Sequence, residues 1–425
     1  MIRNLKERRP FPMKLFVGID VSSKDLQVVA LDSEDQNKRL INDSFVNDLY
    51  GASELKKQIL DLAQNKHYDQ IIIGMEATSI YSFHPAYFFQ NDEDLQKLNV
   101  ETDVINPKET SRFHKVFEES KTDPLDAYYI ALYLSFGHYR VSIARQDNYL
   151  ALERLTRTRY ELVQELTRTK QHFIEALYYR VNKLITVDKD KINTPLFGAT
   201  MMSIVTDSKT LDEIADMPTE DLISYLQVKG RGRFSDPDTL AKAIKKAVRG
   251  SYRLGKVMTD SIDAVLSVHY NMIQSFNESI KDLEKAIDRI VDALPESKIL
   301  ESIPGIGKTY TAGIIAEIGS IDRFDKEEQL AKYAGLTWNQ YQSGDHSNEH
   351  TPMARTGNRY LRYYLIEAAN LARLHDPVFK KYYQKKYDEA VYSPHKRACT
   401  LTARKLVRVI FKLLKDDKLY RTPRS

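Results

Sequence analysis

From Lys14 the chain alternates short apolar runs with polar turns. LFVGID, VVAL and IIIGME (residues 71–76) read as buried-type strands, and further strands are predicted near 43–46 and over 99–107. Between and after them, polar-and-apolar periodicity predicts helices over 52–63, 108–117 and 124–136. Strands first, then helix alternating with strand, predict a mixed sheet with helices on its faces. A long helix is predicted over 147–181, where Leu152, Leu155, Leu162, Leu166, Phe173 and Leu177 follow a 3-and-4 spacing. A second is predicted over 260–294, where Ile262, Leu266, His269, Ile273, Phe276, Ile280, Leu283, Ile287, Ile290 and Leu294 keep heptad spacing until Pro295. Two such helices imply pairing with each other or with another subunit. Residues 185–258 give only short helical pieces and no function.

Composition narrows the class. At 425 residues, 42% hydrophobic and 29% charged, the chain is a globular protein of several domains rather than a disordered or membrane protein. Its apolar runs are far too short to span a bilayer, so no membrane partner is expected. The basic first 13 residues lack the apolar core of a secretory signal and read as a solvated tail. The lone Cys399 can form no internal disulfide, which points to a cytoplasmic setting. The net charge of +4 is unevenly spread: residues 351–425 hold 18 Lys+Arg against 6 Asp+Glu. A concentrated positive end points to a polyanion, above all nucleic acid.

Three stretches carry candidate chemistry. Asp20 and Glu76 each close an apolar run, at a strand's exit from the core. Asp123 and Asp126, three apart in KTDPLDA, share a helix face. Four converging carboxylates would hold two Mg²⁺ ions, roughly 4 Å apart, for phosphoryl transfer. Taken alone, Asp-Pro is also an ordinary helix start. SIPGIGKTYTAGIIAEIG lacks the glycine and the strand of an NTPase phosphate loop. It reads either as a helix-hairpin-helix holding a nucleic-acid phosphate through Gly305, Gly307 and Lys308, or as a tight turn between packed helices. In YQSGD, Ser343 is a candidate nucleophile that would need a base or a metal, His346 and His350 being nearby. The following RTGNRYLR supplies Arg355, Asn358, Arg359 and Arg362 as candidate phosphate contacts, with the arginines at i, i+4 and i+7.

GIDVSSKDLQVVAL, GMEATSIY, KTDPLDAYYIALY, LERLTRTRYELVQELTRTK, IPGIGKTYTAGIIAEIG, AGLTWNQYQSGD and RTGNRYLR, in this order, resemble the DEDD/serine transposases of the insertion sequence 110 family. The resemblance implies an α/β, RuvC-like (ribonuclease-H-type) domain over 14–140, a helical, coiled-coil connector over 141–299 and a mostly helical transposase domain over 300–425. It implies that Asp20, Glu76, Asp123 and Asp126 form the metal-binding DEDD set and that Ser343 forms a phosphoserine with DNA. It further implies a homo-oligomer, dimer or tetramer, and a structured noncoding guide RNA that selects the DNA sites. This chain departs from the family at Ser79, where glycine is common, and in reading Ser343-Gly344-Asp345-His346, which puts the loop's phosphate contacts in question; Ser347 is a rival nucleophile. A RuvC-like junction nuclease using water and a non-catalytic nucleic-acid-binding protein are the alternative readings.

Overall fold

A computed structural model describes residues 12–77, 80–105, 107–115, 123–137, 139, 147–186, 196–197, 202, 211–232, 234, 236–338, 342–343, 346–347, 353 and 356–422. The chain divides into two compact units, Met1–Arg145 and Gln146–Ser425.

The first unit is built on five strands, β1 (Lys14–Val21), β2 (Asp25–Asp32), β3 (Arg39–Val46), β4 (Gln70–Glu76) and β5 (Val100–Ile105), in the order β3-β2-β1-β4-β5. β1 runs antiparallel to β2 and parallel to β4, so the sheet is mixed, as its pattern predicts. Alternation along β1 and β4 splits their side chains between two layers. Leu15, Val17, Ile19, Ile71, Ile73 and Met75 pack with Leu55 and Ile59 of α1 (Leu49–Asn65) and Phe89 of α2 (Phe83–Asn91), which leads into the short α3 (Glu93–Gln96). Phe16 and Ile72 face the other way, onto Ile130 and Leu134 of α5 (Asp123–Ser135), which follows α4 (Pro107–His114). The sheet and its RuvC-like class are those expected from the sequence.

Among the described residues the second unit is helical apart from one small hairpin and a single bridge. α6 (Asp147–Arg180) pairs along its length with a later helix, after α7 (Asn182–Thr186), α8 (Leu211–Asp216), α9 (Thr219–Gly230) and α10 (Pro237–Arg249). That partner is α11 (Lys256–Val291). Arg180 to Asp263 (2.6 Å) and Arg159 to Glu284 (2.8 Å) fix an antiparallel register, and Tyr149 reaches Glu296 just past the end of α11 (2.7 Å). The heptad residues Ile262, Leu266, Ile273, Ile280 and Ile287 are buried, so the two long helices pair within one chain. Partly buried His269 stacks on His172 across this seam, ring centroids 6.0 Å apart. The remaining elements are α12 (Pro295–Glu301), α13 (Lys308–Ile318), α14 (Glu327–Tyr333), β6 (Gln342–Ser343), β7 (His346–Ser347), α15 (Arg359–His375), α16 (Pro377–Asp388) and α17 (Pro394–Asp416). One core gathers α13, α15 and α17 around the Leu152 and Ile287 end of the long pair. Within it Tyr364 is buried, its hydroxyl donating to the Thr156 carbonyl at 2.7 Å.

Candidate functional site

In the first unit, the sequence places two carboxylates at neighbouring strand ends. Ile19 pairs with Met75, so Asp20 and Glu76 follow each other's register on parallel strands, which lie ~5 Å apart. Alternation puts both on the face that carries Gly18 and Gly74, beneath α5. The glycines explain how close α5 comes: a Cβ on Gly18 would strike the Ala127 carbonyl and Ala131 nitrogen, and one on Gly74 would stand 2.7 Å from Leu134 Cδ1. Phe16 and Ile72 meet Ile130 and Leu134, whereas Gly18, further along β1, meets Ala127 and Ala131. The helix therefore runs against the strands, and its N-terminal turn, with Asp126, comes to the end of the sheet where Asp20 and Glu76 sit. Asp20, Glu76 and Asp126 are all partly buried. Asp123 opens the same helix, and its side chain lies outside what is described.

An all-oxygen donor set of this kind suits a hard divalent cation such as Mg²⁺. Among the described residues, no three acidic, histidine or cysteine side chains are close enough to hold a metal ion. Two residues that the sequence reading did not single out border the carboxylates. The Thr110 hydroxyl of α4 lies 3.1 Å from Glu76 Oε2 and equally far from the Pro107 carbonyl, between which it shares its proton. His114 Nε2 lies 3.4 Å from Asp126 Oδ1, its ring edge-on to Tyr129. The signal was faint: nothing in the spacing of PKETSRFH marks Thr110 or His114 as neighbours of a strand end.

In the second unit, Ser343 is the last residue of β6, pairing with His346 of β7, while Gln342 pairs with Ser347. Trp338 and Met353 make an antiparallel bridge. The side chains of Ser343, His346, Ser347 and His350 lie outside the described residues, as does Arg355. Asn358 is the N-cap of α15, accepting from the Tyr360 and Leu361 N–H groups at 3.0 Å each, so its side-chain oxygen is engaged by the helix. Exposed Arg359 donates to the Tyr360 hydroxyl at 2.7 Å. Arg362 Nη1 is buried with no hydrogen-bond partner among the described atoms. Gly305, Gly307 and Lys308 form the turn between α12 and α13. Gly305 has φ +89° and lies against the Leu371 backbone, where a Cβ would come within 2.9 Å. Gly307 caps α13 beside open space, and Lys308 pairs with Asp292 at 2.6 Å. In the basic tail, Tyr383 is buried under the Arg373 guanidinium, whereas Tyr392 is exposed.

Comparison with known proteins bears on both regions. Residues 17–179, which contain Asp20, Glu76, Asp123 and Asp126, match a family model described as a transposase, the DEDD type of IS110 elements. Residues 297–384, which contain the α12–α13 turn, Ser343 and α15, match the model described as transposase IS116/IS110/IS902 family. The chain belongs to the IS110 family of transposases. It is 30% identical over 163 residues to the insertion element IS110 uncharacterized 43.6 kDa protein of Streptomyces coelicolor, covering 38% of this chain and 39% of that one. It is 30% identical over 199 residues to the insertion element IS116 uncharacterized 44.8 kDa protein of Streptomyces clavuligerus, covering 45% and 47%. With the transposase for insertion sequence element IS1111A of Coxiella burnetii it shares 28% identity over 168 residues, covering 39% and 45%. The matched segments thus span less than half the length of each of these IS110-family relatives. Among the described residues no helix is long and apolar enough to cross a membrane.

Proposed function

We propose that the chain is a DNA transposase or recombinase that cleaves and rejoins strands through a phosphoserine at Ser343. The observation that carries this reading is the seating of α5 on Gly18 and Gly74, which brings the N-terminal turn bearing Asp126 to the strand ends bearing Asp20 and Glu76. Membership of the IS110 family, and a relative whose name makes it the transposase of an insertion sequence element, support it.

In this reading Asp20, Glu76, Asp123 and Asp126 hold divalent ions, two Mg²⁺, which when bound offset the negative charge that builds up at a phosphoryl group under attack. The Ser343 oxygen forms a bond to phosphorus as one ester bond to deoxyribose breaks; the serine proton is lost, and the leaving sugar oxygen takes one up. Attack by a new DNA hydroxyl reverses the exchange, rejoining the strand and freeing the serine. Arg355, Arg359 and Arg362 serve the phosphate's charge, with the Gly305–Lys308 turn as a further backbone contact. Sites are selected with a structured guide RNA, the protein works as a homo-oligomer, dimer or tetramer, and the basic C-terminal region serves the nucleic acids.

The test is covalent capture. Ser343→Ala is expected to abolish protein–DNA adducts while leaving DNA binding in place; adducts that persist would remove Ser343 from the chemistry. Hydrolysis to free ends with no adduct in the unaltered protein would favour the water-using nuclease.

A further inference from the structure

Three helices of the second unit meet at a carboxylate shut off from water. Glu317, next to last in α13, is fully buried. Its Oε1 accepts from Arg157 Nε at 2.7 Å, and its Oε2 accepts from Arg157 Nη2 at 2.8 Å and from Asn358 Nδ2 at 2.6 Å. Arg157, on α6, is held further by Glu153 at 3.0 Å and lies over the Tyr360 ring. Asn358 leaves its Oδ1 to cap α15, and its backbone N–H donates to the Tyr333 carbonyl at 2.6 Å.

Two glycines complete the clasp. Gly335 (φ +68°) follows α14 and Gly357 (φ +109°) precedes α15, and a Cβ on Gly357 would stand 2.6 Å from the Gly335 nitrogen. The chain leaving at Gly335 and the chain returning at Gly357 therefore touch backbone to backbone. Ser343 lies between them in the chain.

A buried ion pair is weak support for stability, since apolar residues of similar volume often serve as well. This one has a third partner, however, and that partner is not on α6 or α13. Through Asn358 the pair reaches the residue at which the hairpin segment becomes α15.

We propose that Glu317 is a positioning residue for the Ser343 hairpin: paired with Arg157, it holds Asn358 and so fixes where the hairpin returns and where the arginine-bearing face of α15 begins. The inference rests on Ser343 as the reacting hydroxyl. Neither Glu317 nor Arg157 need touch DNA.

The test uses the full chain and two variants. Glu317→Gln keeps the shape and the N-cap of α15 but sets an amide against Arg157, whereas Asn358→Ala leaves the Glu317–Arg157 pair whole and removes its link to the hairpin together with that N-cap. Hydrogen–deuterium exchange over residues 336–361 and the rate of serine–DNA adduct formation at saturating DNA are measured together. Both variants are expected to speed exchange across 336–361 while residues 308–316 stay protected. The adduct rate should fall roughly 10- to 100-fold with DNA affinity changed by no more than about twofold, since a small misplacement costs rate more than binding. Unchanged exchange and rate in Asn358→Ala would overturn the proposal, and so would a loss of protection spread evenly over the whole unit. If the unaltered protein forms no adduct while exchange still rises locally in both variants, the clasp positions the hairpin and it is the serine's role that fails.

Discussion

Gly18 of β1 lies directly under the Ala127 carbonyl of α5, with no room between them for a single carbon. This contact sets the height of α5 over the sheet, and with it the distance from Asp126 to the strand ends. Gly18→Ala is expected to destabilise the first unit by about 1–3 kcal/mol, the usual cost of overpacking, because the obstacle is helix backbone and not a movable side chain. Denaturant unfolding followed for the first unit checks it. A variant as stable as the original would mean that α5 can lift without cost.

The Thr110 hydroxyl steadies Glu76 from α4. Thr110→Val removes that hydroxyl at nearly constant shape and is expected to cost about 1 kcal/mol of stability. On the proposed function it lowers metal-dependent strand cleavage roughly 10-fold, in the range typical for a group that orients a ligand. Thr110→Ser should restore both. Cleavage measured against Mg²⁺ concentration distinguishes a weakened ion site, which higher Mg²⁺ rescues, from a lost fold, which it does not.

How much of this was readable beforehand follows from what periodicity can encode. The strands ending at Asp20 and Glu76 and the pattern of buried leucines and isoleucines along α6 and α11 were legible because each is a repeat within one segment. The antiparallel pairing of the long helices was not legible, because a heptad stripe does not say which partner covers it. The roles of Gly18, Gly74 and Thr110 were not legible, since they depend on a helix arriving from elsewhere in the chain. Glu317 was the least visible: within SIPGIGKTYTAGIIAEIG it looks like one polar residue on an apolar helix, and its partners are 160 residues before it and 41 after.

The Asp32–Lys66 pair sets an expected pH profile for the first unit. Burial pushes the Asp32 carboxyl up, but the Lys66 hydrogen bond and the Asp35 and Glu34 N–H groups outweigh it, leaving the carboxyl below its usual range. Hydrogen bonds to Asp32 and Glu34 raise the Lys66 ammonium. A depressed carboxyl contributes stability that is complete above the unfolded value of about 4 and is lost as pH falls through the folded one; a raised ammonium contributes below about 10.4 and is lost as pH rises through its folded value. The pair should therefore support a plateau between these limits. Lys66→Met is expected to cost about 1 kcal/mol at neutral pH, allowing for the part-exposed ammonium, and to flatten the acid limb. Unfolding midpoints at pH 7 and below pH 4 give the comparison; parallel profiles would show that the pair contributes nothing.

The positive C-terminal region gives a prediction that separates charge from fold. Lys380, Lys381 and Lys396 are exposed on α16 and α17, and none has an acidic partner at ion-pair distance among the described residues. Cations left unpaired at the surface cost little to remove, so replacing all three with alanine should leave the melting temperature close to that of the unaltered chain. If DNA lies along these helices, each lysine releases about one counterion, and the triple variant should flatten the slope of log affinity against log salt by roughly 3 (about 0.9 per cation). Affinity should fall for every duplex alike, because phosphate contacts carry no sequence information. Filter binding across a salt series on two unrelated duplexes measures both quantities. An unchanged slope would place the nucleic acid elsewhere on the chain, and a change on one duplex alone would mean that these lysines read bases instead of phosphates.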